Sequence, residues 1–392
     1  MSQASDNNLG PLIEGRDILV SVGCGGVGKT TTAAAVALHC ALEGGRSLAL
    51  TIDPAHRLAD SLGMPDIGGV EKEIDLSGLD NRRKKSDEGG LWAMMLEAKR
   101  TFDNMIVKYA PSPEAAKRIF ANPFYQHVSG ALSGSQEYMA IEKLSELHAE
   151  KRFDLIVLDT PPTAHALDFL SAPERMLQFL DHSVLQWFLK PYMTLSRLGM
   201  KTFKMTSTAA LKVAERLTGA EVIRDILDFF ESFEGMYEGF RQRAETVDKI
   251  LRRDRTGFIL VATPSRATLE EALKFYRRLK KMGMPLAAVI INRATVVPDG
   301  FSCDLLENED ALERAKQAAP LRGDKARIII RRMWENARAV QTLMKQEQEE
   351  IASFREIIGD EAPLFVVPRF DEDIHDIEGL QRFAESLFRN DP

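Results

Sequence analysis

Cysteine is scarce in this chain: three in 392 residues, at positions 24, 40 and 303, with no C-x-x-C spacing and no Cys/His cluster. That argues against a disulfide framework and against a structural zinc site supplied by one chain, and the expected location is cytoplasmic. Long apolar runs are missing too. No stretch approaches 18 uncharged apolar residues, and residues 1–10 are polar and acidic, so neither a membrane span nor a secretory leader is expected and 1–10 reads as a flexible tail. Nor is there an excess of basic residues. Lys and Arg number 51 against 58 Asp and Glu, a net charge of -7, so no nucleic-acid partner is expected, since phosphate-backbone binding needs cations gathered on one face. The one basic run, Arg82-Arg83-Lys84-Lys85, leads straight into Ser-Asp-Glu-Gly-Gly and reads as a solvated loop. What the chain does have is core material, with 44% hydrophobic residues, enough for one large domain or two of ordinary size.

Chemistry enters at Asp17 to Thr32. An apolar strand, Ile18 to Val22, runs into Gly23-Cys24-Gly25-Gly26-Val27-Gly28-Lys29-Thr30, and an alanine-rich helical run follows. The spacing is G-x-x-x-x-G-K-[ST]. In such a loop backbone N–H groups wrap a phosphate, a lysine reaches the β- and γ-oxygens, and the hydroxyl holds Mg²⁺. Glycine allows the backbone to approach the phosphate, which sits at a helix N-terminus where orphan N–H groups and the dipole favour it. A bound nucleotide is therefore expected.

Other strands end in polar residues. Arg46 to Ile52 closes on Asp53-Pro54-Ala55-His56, which places Asp53 at the carboxyl edge of a parallel sheet; it reads either as a ligand-side carboxylate or as a helix N-cap before Pro54. Leu155 to Leu158 ends in Asp159, the pattern of a buried strand carrying a Walker-B-type acid that holds Mg²⁺ directly or through water. Leu286 to Ile291 ends in Asn292, whose amide can face an adenine edge. Between them, 99–130 is helical material broken by prolines, and 172–247 lacks any strand signal and reads as an inserted helical subdomain. Within it, Trp187 to Met205 mixes aromatics, methionines and lysines; that composition fits either ordinary helix packing or a surface for apolar partners. Residues 325–354 carry a heptad-like stripe, Ile329, Met333, Ala337, Val340, Met344, Ile351 and Phe354, read as core. The expectation is an α/β P-loop NTPase fold: one discontinuous domain over 11–392, a mostly parallel sheet with helices on both faces, and the helical insertion.

The loop, the switch Asp53-Pro54-Ala55-His56, the switch Asp159-Thr160-Pro161-Pro162-Thr163-Ala164-His165, Ile291-Asn292, and Val367-Pro368-Arg369-Phe370 with Ile377-Glu378-Gly379-Leu380 resemble the arsenite-pump and tail-anchored-protein-targeting ATPases. Those are P-loop proteins with a deviant Walker A motif. The resemblance implies an ATP-dependent dimer that closes around two nucleotides and uses a helical lobe to couple nucleotide state to a hydrophobic or membrane-protein client. It places Gly25, Gly26, Val27, Gly28, Lys29, Thr30 and Thr31 on the phosphates, Thr30 and Asp159 on Mg²⁺, Asp53 on the attacking water, and Asn292 with the Pro368 loop on adenine. Lys29 and Asp53 would carry the catalysis.

Three departures qualify that picture. The family's signature lysine, second in the loop, is Cys24 here, and a thiol cannot supply the cation that lysine carries across the dimer interface. Slow hydrolysis, a substitute cation, or pairing with a paralogous subunit would each accommodate it. The shared-zinc C-x-x-C is absent, and Cys24, Cys40 and Cys303 do not form an arsenite-binding set, so arsenite transport is unsupported. A weakly hydrolysing regulatory or scaffold subunit is the alternative reading, and a DNA-partitioning ATPase is disfavoured by charge and by the insertion.

Overall fold

Eight segments become strands: β1 (Ile18–Gly23), β2 (Arg46–Thr51), a two-residue β3 (Lys72–Glu73), β4 (Gly90–Met95), β5 (Leu155–Asp159), β6 (Thr256–Ala262), β7 (Leu286–Ala294) and β8 (Leu364–Pro368). In the computed structural model the described residues are 8–53, 55, 57–79, 89–123, 125–126, 136–161, 225, 228–229, 232, 236–297 and 324–388. Most of the expected insertion, including Trp187 to Met205, lies outside them, as do Pro54, His56, the Arg82–Lys85 run, Pro162 to His165 and Cys303. The strands form one sheet, ordered β3-β4-β2-β5-β1-β6-β7-β8 and parallel except for the β3–β4 pair. Because both faces are covered, the central strands read as nearly unbroken apolar runs.

The ten described helices are α1 (Gly10–Ile13), α2 (Lys29–Leu42), α3 (Arg57–Ser61), α4 (Ala98–Tyr109), α5 (Pro113–Ala121), α6 (Gln136–Glu150), α7 (Tyr237–Arg252), α8 (Arg266–Met282), α9 (Asp324–Ile358) and α10 (Ile377–Phe388). Strand alternation sorts them. Ile18, Val20 and Val22 of β1 face the layer that holds α4, α6, α7 and α8. Leu19, with Ala49, Val157 and Ile259, faces α2 and α10. The alanines of α2 let it lie close on the sheet, and Gly44, at φ 95, ends it where a side chain would be strained. The expected proline breaks hold as well. Ser112 caps α5 by accepting from Ala115 N–H, with Pro113 at the first helical position.

Two boundaries differ from expectation. Helix α7 runs across the anticipated end of the insertion near 247, and Phe240, Ala244, Val247 and Leu251 are fully buried in the sheet core, so the chain is back on the sheet by Tyr237. The stripe on α9 is mostly not core. Phe354 is 2% exposed, but Ile329, Met333 and Val340 are 40%, 63% and 40% exposed. Length explains this: 35 residues make a helix of about 52 Å, whereas its 17-residue neighbour α8 offers about 26 Å to lie along. Apolar heptad spacing reports which face is apolar, not whether anything covers it.

Candidate functional site

In a parallel sheet the carboxyl ends of β1, β2, β5, β6 and β7 share one edge, and that edge collects most of the residues singled out above. The glycine loop connects β1 to α2 there. At Gly28 (φ 99) a side chain is doubly excluded, by the left-handed backbone and because a Cβ would overlap the Asn292 amide nitrogen. Gly23 is held as tightly, since a Cβ would run into the Val261 carbonyl of β6. Lys29 is 5% exposed, and its Nζ donates to the Cys24 carbonyl at 2.8 Å. Burial pulls this ammonium below its ordinary value, and the nearby Asp159 carboxylate opposes the shift.

Asp159, 1% exposed at the end of β5, is the hub. Its Oδ2 accepts from Thr30 Oγ1 at 2.7 Å and from Thr51 Oγ1 at 2.9 Å. Its Oδ1 is buried without a hydrogen-bond partner. Burial pushes the carboxyl up to about 6, against the pull of the two hydroxyls and of Lys29. Thr51 passes the connection on by accepting from the backbone N–H of Asp53 at 3.1 Å. Asp53 is itself 9% exposed; its Oδ1 accepts from Ala55 N–H at 3.0 Å, and its Oδ2 lies 3.4 Å from Arg57 Nη1. The N-cap reading of Asp53 does not hold, because α3 begins at Arg57, four residues on; the carboxylate instead orders the turn that leads into that helix and sits beside the Asp159 hub.

The β7 side is built differently. Asn292, 4% exposed, donates from Nδ2 to the Val27 carbonyl at 2.9 Å, and its Oδ1 accepts from Arg293 N–H at 2.9 Å. The side chain expected to face a base thus braces the glycine loop, with one N–H and one lone pair still free of these two bonds. Strand β7 also runs three residues past the expected end at Ile291, through a bulge at Asn292–Arg293. Two cavities flank this point. One of about 820 Å³ is lined by Gly25, Gly26, Val27 and Arg266 among others, and one of about 630 Å³ by Gly28, Thr31, Arg57 and Asn292; Arg293 and Arg369 border both. Pro368, at the end of β8, pairs with Ala294 beside them. Cys24 is buried against α8 with its sulfur 3.9 Å from the Thr268 carbonyl, and burial, then Glu271, pushes the thiol up, so it stays neutral.

The structure thus brings together Lys29, Thr30, Asp53 and Asp159 on one side of the loop and Asn292 on the other. Thr51 and Arg293 were missed from sequence. A threonine two residues before Asp53, and a cation directly after Asn292, were the available signals.

A family model described as anion-transporting ATPase matches residues 16–319. The chain belongs to that family. Over 378 residues it is 24% identical to the putative arsenical pump-driving ATPase 1 of Aquifex aeolicus, spanning 96% of this chain and 79% of that protein. It is 26% identical over 283 residues to the ATPase GET3 of Malassezia globosa, spanning 72% and 74%, and 28% identical over 280 residues to the ATPase GET3C of Arabidopsis thaliana, spanning 69% and 65%. As a member of the anion-transporting ATPases, the chain binds and hydrolyses ATP. Among the described residues no helix is long and apolar enough to cross a membrane.

Proposed function

We propose that the chain is a dimeric, ATP-driven switch whose nucleotide state is passed to a hydrophobic or membrane-protein client through its helical insertion. The observation that carries the reading is the Asp159 hub. One buried carboxylate oxygen ties the glycine loop, through Thr30, to the Asp53 segment, through Thr51, so a change at the phosphates reaches both segments that follow the central strands.

In this reading the backbone of Gly25 to Thr31 wraps the phosphates, with Lys29 drawn from its bond to Cys24 O toward the β- and γ-oxygens. The unpartnered Oδ1 of Asp159 and the Thr30 hydroxyl fit Mg²⁺, directly or through water, because a buried anionic oxygen without a donor is costly unless a cation faces it. When bound, Mg²⁺ neutralises charge on the β- and γ-oxygens. Asp53 orients the water that attacks the γ-phosphorus as the bond to ADP breaks. The adenine lies toward the smaller cavity, where Asn292 has its remaining N–H and Arg369 and Phe370, the residues that follow Pro368, line the wall.

Asp53→Asn keeps the shape of the turn and removes the charge. It should lower turnover by about 10²–10³-fold while ATP binding stays within a few-fold. Hydrolysis by D53N at the wild-type rate would remove Asp53 from the mechanism. Rate per subunit should rise with protein concentration if the dimer is the active form, and added DNA should leave it unchanged. Cys24 favours a second reading, a slow or regulatory subunit of a heteromeric ATPase, since its buried neutral thiol supplies no cation. Subunit composition of the complex isolated from its own cells separates the two.

A further inference from the structure

The inference rests on the proposed nucleotide site and names the cation that serves it: we infer that Arg293 carries the charge that position 24 lacks, contacting the polyphosphate from the β7 side of the loop. The backbone supplies the first observation. Arg293 has φ 62, a left-handed conformation that costs a side chain energy and that few residues other than glycine adopt. It does so inside a strand, at a bulge where the three residue steps of β7 from Ile291 to Ala294 span the two of β8 from Val366 to Pro368. Bulges beside sites re-aim a side chain, and strain retained at such a place needs a compensating role.

The second observation is where the side chain goes. Its Nη1 donates to the Gly26 carbonyl at 3.1 Å, so the guanidinium lies on the rim of the glycine loop, and it borders both cavities that flank the loop. Four other cations nearby are engaged. Arg57 faces Asp53 at 3.4 Å, Arg266 faces Glu270 at 3.0 Å, and Lys274 faces Glu271 at 2.5 Å. Lys29 is buried beneath the loop on Cys24 O. Arg369 borders the same cavities, but of these rim arginines it is Arg293 that holds a loop atom. Glu347, which lines the larger cavity with Arg293, is taken too, since it accepts from Thr295 N–H at 2.7 Å and from its hydroxyl at 3.1 Å. Among the described residues Arg293 pairs with no carboxylate, which leaves most of its planar fork of donors for phosphate oxygens. Charge that grows on the transferring phosphoryl group is what such a fork stabilises.

The test compares R293A, R293G and R293K with the wild type, reading ATP turnover, affinity for a fluorescent ADP analogue, and melting temperature. Glycine accepts the left-handed backbone, so R293G should melt no lower than wild type, and any loss in it is a loss of the guanidinium. R293A and R293G should lose about 10²–10³-fold in kcat with analogue affinity within about tenfold. R293K should stay at least tenfold above R293A in kcat. Wild-type kcat in R293G, a defect confined to KM, or R293K no better than R293A would overturn the inference while leaving the nucleotide site standing. Failure of the wild type to bind the analogue would overturn the site itself, and the inference with it.

Discussion

The two edges of the same sheet both gather charge, and they handle it in opposite ways. At the amino edge Asp17, just before β1, is surrounded: Arg255 Nε lies 2.9 Å from Oδ1, while Arg253 Nη2 and His148 Nε2 lie 3.5 Å and 3.7 Å from Oδ2. Water reaches this cluster, with Arg255 64% exposed. At the carboxyl edge Asp159 receives two hydroxyls on one oxygen and none on the other, with almost no solvent. One carboxylate is closed by its neighbours; the other is left open. The Asp17 carboxylate is completed by its neighbours and by water, whereas the buried, unpartnered oxygen of Asp159 carries an electrostatic cost that a proton or an added cation relieves.

The largest effect that would break this comparison comes from Asp159→Asn. Turnover should fall by at least about 100-fold, yet stability at pH 8 should rise by up to about 3 kcal/mol, because ionising a carboxyl whose folded pKa stands near 6 rather than 3.8 weakens the fold. Between those two values the folded chain binds the extra proton, so the Asp159 contribution to stability falls as pH rises through the window and stays low above it. His148 works in the other direction. Burial, then Arg253, lowers its pKa, so the unfolded chain binds the extra proton and its contribution is lost as pH falls below 6.5. Relative to wild type, D159N should therefore lose more stability on acidification, and H148Q less. Urea midpoints at pH 5, 6.5 and 8 read both. A D159N variant less stable than wild type at pH 8 would mean that Asp159 is closed after all.

Much of the carboxyl edge could be read from residues because its chemistry is tied to position along strands. Apolar runs ending in Asp53, Asp159 and Asn292 put those groups on one edge once the sheet is parallel, and the glycine spacing supplies the loop. What escaped is set by backbone geometry or by the presence of a neighbour. Arg293 is an arginine in a conformation that sequence patterns associate with glycine, so nothing marks the bulge. Thr51 gains its meaning from Asp159, 108 residues away. The α9 stripe looks alike whether covered or bare, because periodicity encodes the face and not its partner. The limit of the insertion was missed for the converse reason: α7 has the same helical pattern as the segment before it, and only its burial of Phe240 and Val247 assigns it to the sheet.

A smaller effect is expected at the amino edge. Asp17→Asn removes the charge that Arg253, Arg255 and His148 share, but these partners are part-exposed and screened, so the cost should be about 1 kcal/mol or less. ATP turnover should stay within about twofold. A hundredfold loss in D17N would show that the two edges are coupled.

The finest test asks whether closure or location makes the difference, and Glu347 of α9 supplies it. This carboxylate stands at the functional edge, bonded to the residue two positions past Arg293, yet it is closed: both oxygens accept from Thr295, at 2.7 Å and 3.1 Å. If location alone conferred function, Glu347→Gln should damage turnover as D159N does. If closure is the criterion, E347Q should behave like an amino-edge variant, because glutamine keeps one acceptor oxygen for Thr295 and forfeits only part of a charge-assisted bond. The expected outcome is a stability loss of about 0.5–1 kcal/mol with turnover changed less than about threefold. A turnover defect that grows while stability holds would instead assign Glu347 to the placement of Arg293, since Thr295 is the residue that fixes the chain just beyond the bulge.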